Sequence, residues 1–163
     1  MTLRSKWLDT WRKLLGVRQQ ARTVVLHLLR HRYVKEKQHA MRCRQHAERM
    51  CYPQFREVLV RIATEEEKHA DLIGAKLQSL GEKLPDVIPI HFAKEQNTWS
   101  YLRTDLMEEQ RCAAELEDDL LALHGEFPEI AEFLGGMASD GKRHREQLRA
   151  LLARSDPQSA GPA

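Results

Sequence analysis

The 163-residue chain carries 26 basic and 24 acidic residues, is 31% charged and 6% aromatic, and has few Gly and Pro, the composition of a helical protein with one sizeable core. Its charges nearly cancel, and the basic residues are spread along helical segments rather than clustered with aromatics, which argues against nucleic acid as a partner. Cys43, Cys51 and Cys112 are odd in number and lack C-x-x-C spacing, so neither a disulfide framework nor a zinc knuckle is indicated and a reducing cytoplasm is the simplest compartment; no apolar run reaches transmembrane length, and the N-terminus is too interrupted by charge for a secretory signal.

Residues 5–18 read as a short amphipathic helix opened by Ser5, with Trp7, Leu8, Trp11, Leu14 and Leu15 on one side and Arg12 and Lys13 on the other. Such a segment, set apart here as residues 1–21, docks on its own bundle or a second subunit, or rests on a membrane surface; docking is the favoured reading. From about Arg22 to Met50 a long helix carries Leu26, Leu29, Tyr33, Glu36, Ala40, Cys43, Ala47 and Met50 on one stripe. His39 lies at the edge of that stripe, where solvent exposure is expected. Tyr33, one turn before Glu36, is either a hydrogen-bond donor behind that carboxylate or a core residue.

Pro53 suits the first position of a second helix, which Gly81 caps and Pro85 stops. On it Phe55, Leu59, Ile62, Glu66, His69, Ile73, Leu77 and Leu80 share one face. A carboxylate and an imidazole thus interrupt an apolar stripe, and burying either without a partner costs on the order of several kcal/mol. Residues 82–96, with Pro85 and Pro89, show no helical period and read as a long crossover. Asn97 is the N-cap of a third helix, about Thr98 to His124, whose stripe of Leu102, Leu106, Glu109, Ala113, Leu116, Leu120 and Leu123 again holds one carboxylate. Pro128 starts the fourth helix, with Ile130, Leu134, Met137, Gly141, His144, Leu148 and Leu151 inward, to about residue 154. Residues 155–163 form a polar tail that need not fold.

A shift of 75 residues superposes Pro53 on Pro128, Leu59 on Leu134, Ala63 on Ala138 and His69 on His144, and a shift of 73 superposes Leu29 on Leu102, Glu36 on Glu109 and Ala40 on Ala113. The chain is a duplicated helical hairpin, expected to form an all-α four-helix bundle over residues 22–154. Its two halves offer Glu36, Glu66, His69, Glu109 and His144 on inward faces. A Glu on each of two helices with Glu-x-x-His on each of the other two is the ligand set of carboxylate-bridged dimetal bundles.

At this point the sequence resembles the ferritin-like superfamily, in particular its rubrerythrin-type branch, over about residues 22–154, most closely in the segment RIATEEEKHADLIGAKLQSLG. The resemblance implies iron at Glu36, Glu66, His69, Glu109 and His144, as a di-iron or single-metal centre, reacting with oxygen or peroxide; a homo-oligomer, a dimer, is expected, and the absence of Cys pairs makes any electron donor a separate protein. Carboxylate and imidazole ligands also suit manganese and zinc. The chain departs from the pattern at one place: Glu66 falls opposite Gly141, so the second Glu-x-x-His lacks its Glu, although Asp140, four residues before His144, could reach that imidazole. Three carboxylates against two divalent ions leave one positive charge uncompensated. The competing reading is a non-enzymatic helical scaffold or binding module with a degenerate metal site, recruited by its N-terminal helix.

Overall fold

A computed structural model describes residues 3–90, 92–123 and 127–158, with backbone alone for residues 3–18, 20 and 21. Among these residues four helices follow in chain order: α1 (Leu3–Glu48), α2 (Pro53–Ser79), α3 (Thr98–Leu123) and α4 (Pro128–Leu152). Proline opens α2 and α4, where a missing N–H goes unfelt. Gly81, at φ +82°, ends α2 in a Schellman turn: its N–H reaches the Gln78 carbonyl at 2.9 Å and that of Glu82 reaches Leu77 at 3.0 Å. Asn97 caps α3, its Oδ1 accepting the Ser100 N–H at 2.9 Å while the Ser100 hydroxyl oxygen accepts the Asn97 N–H at 3.0 Å.

The expected boundaries hold to within two residues except at the first helix. Instead of a short helix over 5–18 followed by another from Arg22, α1 runs unbroken from Leu3. Between the two expected segments the chain reads Gln19, Gln20, Ala21, with neither Pro nor Gly to stop a helix. The side chains of Trp7, Leu8, Trp11, Leu14 and Leu15 lie outside the described residues, as does the end of the tail from residue 159. Among the described residues no helix is long and apolar enough to cross a membrane.

Helices α1 and α2 form one hairpin and α3 and α4 the other; across the bundle α1 touches α3 and α2 touches α4. Side-chain pairs set the directions. His46 and Arg42 meet Asp105, His39 meets Glu109, and Arg32 meets Asp119, so α1 and α3 are antiparallel. Glu65 meets His144 and His69 meets Asp140, so α2 and α4 are too. The chain must therefore return the whole length of the bundle between hairpins. The 27 residues of α2 span about 40 Å, a distance that a connection from residue 80 to 97 can cover with slack at up to roughly 3.3 Å per residue. The crossover lies along α1: Gln45 donates to the Ile90 carbonyl at 3.1 Å, and the Arg42 guanidinium sits 5.5 Å from the Phe92 ring centre.

The apolar core is split in two. One cluster packs Val25, Leu29, Tyr33, Ile73, Leu77, Leu123 and Leu134, and the other packs Cys43, Phe55, Leu59, Ile62, Tyr101, Leu102 and Leu148. Tyr33 is a core residue, its ring edge at the closest approach Gly74 permits: a Cβ there would lie 3.1 Å from Tyr33 Cε2. Between the clusters every helix contributes polar side chains to one layer.

Candidate metal centre

Glu66 is the hub of that layer. Its Oε1 accepts from His144 Nδ1 at 2.9 Å and its Oε2 from His69 Nδ1 at 3.2 Å, while Glu36 shares a proton with it from α1. Glu109 approaches from α3, its Oε1 3.8 Å from His144 Nδ1. All five residues marked out by the sequence are brought together. Glu66, His69, Glu109 and His144 are buried, and Glu36 is half-buried at the rim.

His39 corrects the sequence reading. Expected in solvent, it is 3% exposed, with Nδ1 3.4 Å from both Glu66 Oε1 and Glu109 Oε2. The α1 stripe is rotated so that His39 faces the axis and Glu36 the edge. An apolar stripe spans a wide arc, and a polar residue at its margin can belong to either side.

The outward nitrogens are held in a crossed pattern. His69 Nε2 donates to Asp140 Oδ2 at 3.0 Å and His144 Nε2 to Glu65 Oε2 at 2.7 Å, each acid coming from the opposite hairpin. Asp140 thus serves His69 rather than His144, its neighbour on α4. Arg143 joins the two acids, 2.8 Å from Glu65 and 2.7 Å from Asp140. Glu65 and Asp140 coincide in the 75-residue repeat, and that equivalence was the available signal for their shared role.

Electrostatics follow from this packing. Burial disfavours the charged form of His144, but hydrogen bonds to Glu66 and Glu65 and the Glu109 charge outweigh it and raise its pKa to about 9. His69 is raised in the same way by Glu66 and Asp140 against its own burial. Burial also opposes ionisation of Glu66, yet His39, His144, His69 and the protonated Glu36 hold it well below the usual carboxylate range. Desolvation, then the bond to Glu66, pushes Glu36 well above the usual carboxylate range, and desolvation beside Glu66 lifts Glu109 to about 7. Cys112 lines the same cavity, but burial among carboxylates pushes its thiol up to about 12.

A cavity of about 70 Å³ reaches the layer, lined by residues of all four helices, room for more than one water-sized group. Gly141 lies on its wall. A Cβ there would stand 2.9 Å from Glu109 Oε1 and 3.4 Å from Arg145 Nη1: the Glu109 carboxylate leans into the space a side chain at 141 would take. Two overlapping donor groups, Glu36–Glu66–His69 and His39–Glu66–Glu109, each have ligand atoms within 4.8 Å of one another. A metal fits this donor set, since carboxylate oxygens and imidazole nitrogens converge and the buried Glu109 Oε2 has no hydrogen-bond partner.

The sequence reading missed two further polar groups, one on each side of that layer along the bundle. Asp105, fully buried, lies 2.8 Å from His46 Nδ1 and 3.3 Å from Arg42 Nε. Arg32, 2% exposed, pairs with Asp119 at 2.7 Å and donates to the Cys112 carbonyl at 3.2 Å. These residues look like solvent-facing charges in sequence, and only the α1–α3 packing identifies them as buried pairs.

A family model described as Rubrerythrin matches residues 27–152. Among solved structures, the chain is similar to a mutant of Mycobacterium smegmatis Dps1, at 13% identity with a TM-score of 0.70, covering 80% of this chain and 95% of that one. No curated protein matches it.

Proposed function

The chain belongs to the rubrerythrin family, and from that premise we propose that its polar layer is a metal centre, holding iron for redox chemistry with oxygen or peroxide. The observation that carries the proposal is the arrangement of His69 and His144. Both turn Nδ1 inward to one carboxylate and have Nε2 fixed by a carboxylate of the other hairpin, the way imidazole ligands are oriented and made more basic. Glu36, Glu66, His69, Glu109 and His144 are the proposed ligands. Iron bound there would supply reversible one-electron chemistry with a small oxidant.

The residues of the chain do the remaining work. Glu65 and Asp140 keep a proton on each outward Nε2, leaving the inward Nδ1 free for an ion once its own proton departs. Burial raises the proton affinity of Glu36 and lifts Glu109 to about 7 in the ion-free site, so any proton either holds there is released as it becomes a ligand. The two apolar clusters keep bulk water from both ends, leaving the cavity at the layer as the space for a small oxidant. The proposal includes a homodimer in the cytoplasm and a separate electron-donor protein.

One observation favours a second reading, a helical scaffold whose metal site has decayed. Without Glu at 141 the layer closes on itself through imidazole–carboxylate pairs, and Glu109 fills part of the gap. Anaerobic addition of Fe(II), then exposure to oxygen or peroxide, separates the two. Binding followed by oxidation faster than in buffer supports the redox reading, and absence of binding supports the scaffold.

A further inference from the structure

We propose that His39 is itself a ligand of the metal centre, supplying from α1 the donor atom missing at Gly141, so that one ion position is built from His39, Glu66, Glu109 and His144. The proposal rests on the reading of the layer as a metal centre and adds a residue outside the duplicated ligand pattern. In the 73-residue register His39 falls on Cys112, not on a ligand.

The geometry of the ring carries the inference. His39 is 3% exposed, and neither of its nitrogens makes a normal hydrogen bond. Nε2 is buried with no partner, and Nδ1 stands 3.4 Å from a carboxylate oxygen on either side, beyond the usual range of about 2.7–3.2 Å for N–H···O. A buried imidazole left so costs free energy. The facing oxygen Glu109 Oε2 is equally without a hydrogen-bond partner. Ligand atoms of His39, Glu66 and Glu109 fall within 4.8 Å of one another, and His144 Nδ1 stands 2.9 Å from Glu66 Oε1 and 3.8 Å from Glu109 Oε1, so a single ion among them would engage Glu109 Oε2 and the inward His39 Nδ1 that no normal hydrogen bond holds.

The placement also answers the defect on α4. Glu109 occupies the space beside Gly141, and the ligand the repeat would put there arrives instead from the neighbouring helix across Glu109. The substitution exchanges an anionic oxygen for a neutral nitrogen. A position with two imidazoles selects against hard ions such as magnesium and for later first-row divalent ions, zinc among them.

The test uses Co(II) on the full chain, read by proton NMR of its hyperfine-shifted resonances. Three exchangeable imidazole N–H signals are expected, from His69, His144 and His39, the last visible because its Nε2 is shielded from solvent. His39→Gln should remove one signal and one bound ion, or weaken that ion at least about tenfold, as much as loss of an outer-sphere partner does. Two signals in the unaltered protein would overturn the role of His39 while leaving the metal centre intact, and this outcome does not depend on whether the variant folds. Unchanged Co(II) stoichiometry and affinity in a folded His39→Gln would do the same. No Co(II) binding by the unaltered chain would overturn the metal centre and the His39 assignment together.

Discussion

Asp140 and His69, 71 positions apart, meet at 3.0 Å across the two hairpins, and Glu65 and His144 repeat the contact in the opposite sense at 2.7 Å. Each half of the duplicated chain thereby orients the imidazole of the other. Separated hairpins would carry the inward residues without the geometry.

Asp140→Asn and Glu65→Gln each remove the charge that fixes an Nε2–H while keeping size. Each should weaken metal binding by about 10- to 100-fold with little effect on fold, because both acids are partly exposed. Isothermal titration with Co(II) or Zn(II) checks this. Arg143→Ala, which leaves both acids in place, should cost less than either.

The ion-free protein should lose stability as pH rises from about 7 to about 9.5. His144 has a pKa of about 9 when folded against roughly 6.5 unfolded, so the stability it contributes is fully present below about 6.5 and disappears as pH passes 9. The change amounts to at most roughly 3 kcal/mol. Glu109, at about 7 when folded, acts in the same direction between about 4.5 and 7. Metal binding must displace the proton on His144 Nδ1, so affinity should rise with pH over this range and protons should appear on binding. Urea unfolding across pH with and without Zn(II), and a pH-indicator titration, read both effects.

Gly141→Glu would complete the second Glu-x-x-His. Its Cβ would crowd Glu109 Oε1 at 2.9 Å, which the end of a flexible side chain can relieve, and its carboxylate would join three others. Without metal the variant should melt below the unaltered chain despite a helix-propensity gain of up to about 1 kcal/mol. With metal the order should reverse, since binding to the folded form adds to stability. Thermal melts of both proteins, with and without Fe(II) under anaerobic conditions, decide it.

Asp105 should be structural. Asp105→Ala leaves Arg42 and His46 buried beside an empty place and should destabilise by about 3–5 kcal/mol. Asp105→Asn keeps an acceptor for His46 and should cost less. Both are measured by urea unfolding of the ion-free protein, and neither should abolish metal binding in the folded state.

The bundle was legible because its determinants are local and repeated. Pro53 and Pro128 open helices, Gly81 and Asn97 end and cap them, and the 75-residue shift superposes His69 on His144. The same logic brought five polar residues to one layer, four of them buried and Glu36 at its rim. His39 escaped because it sits at the margin of its stripe, where the choice between core and solvent depends on the rotation of α1 against α3. Asp105, His46 and Arg42 escaped because a charge is assigned to solvent until a partner on another helix is known. Asp140 was placed near the centre but with the wrong imidazole, since spacing along α4 favours His144 whereas the packing of α2 on α4 brings it to His69.

The most direct test is the metal content of protein purified without chelator and reloaded anaerobically with Fe(II), compared with His69→Ala and His144→Ala. A metal centre at the polar layer predicts bound iron in the unaltered chain, partial loss in each single variant and complete loss in the double variant. Iron stoichiometry unchanged by both substitutions, in proteins that remain helical, would contradict it.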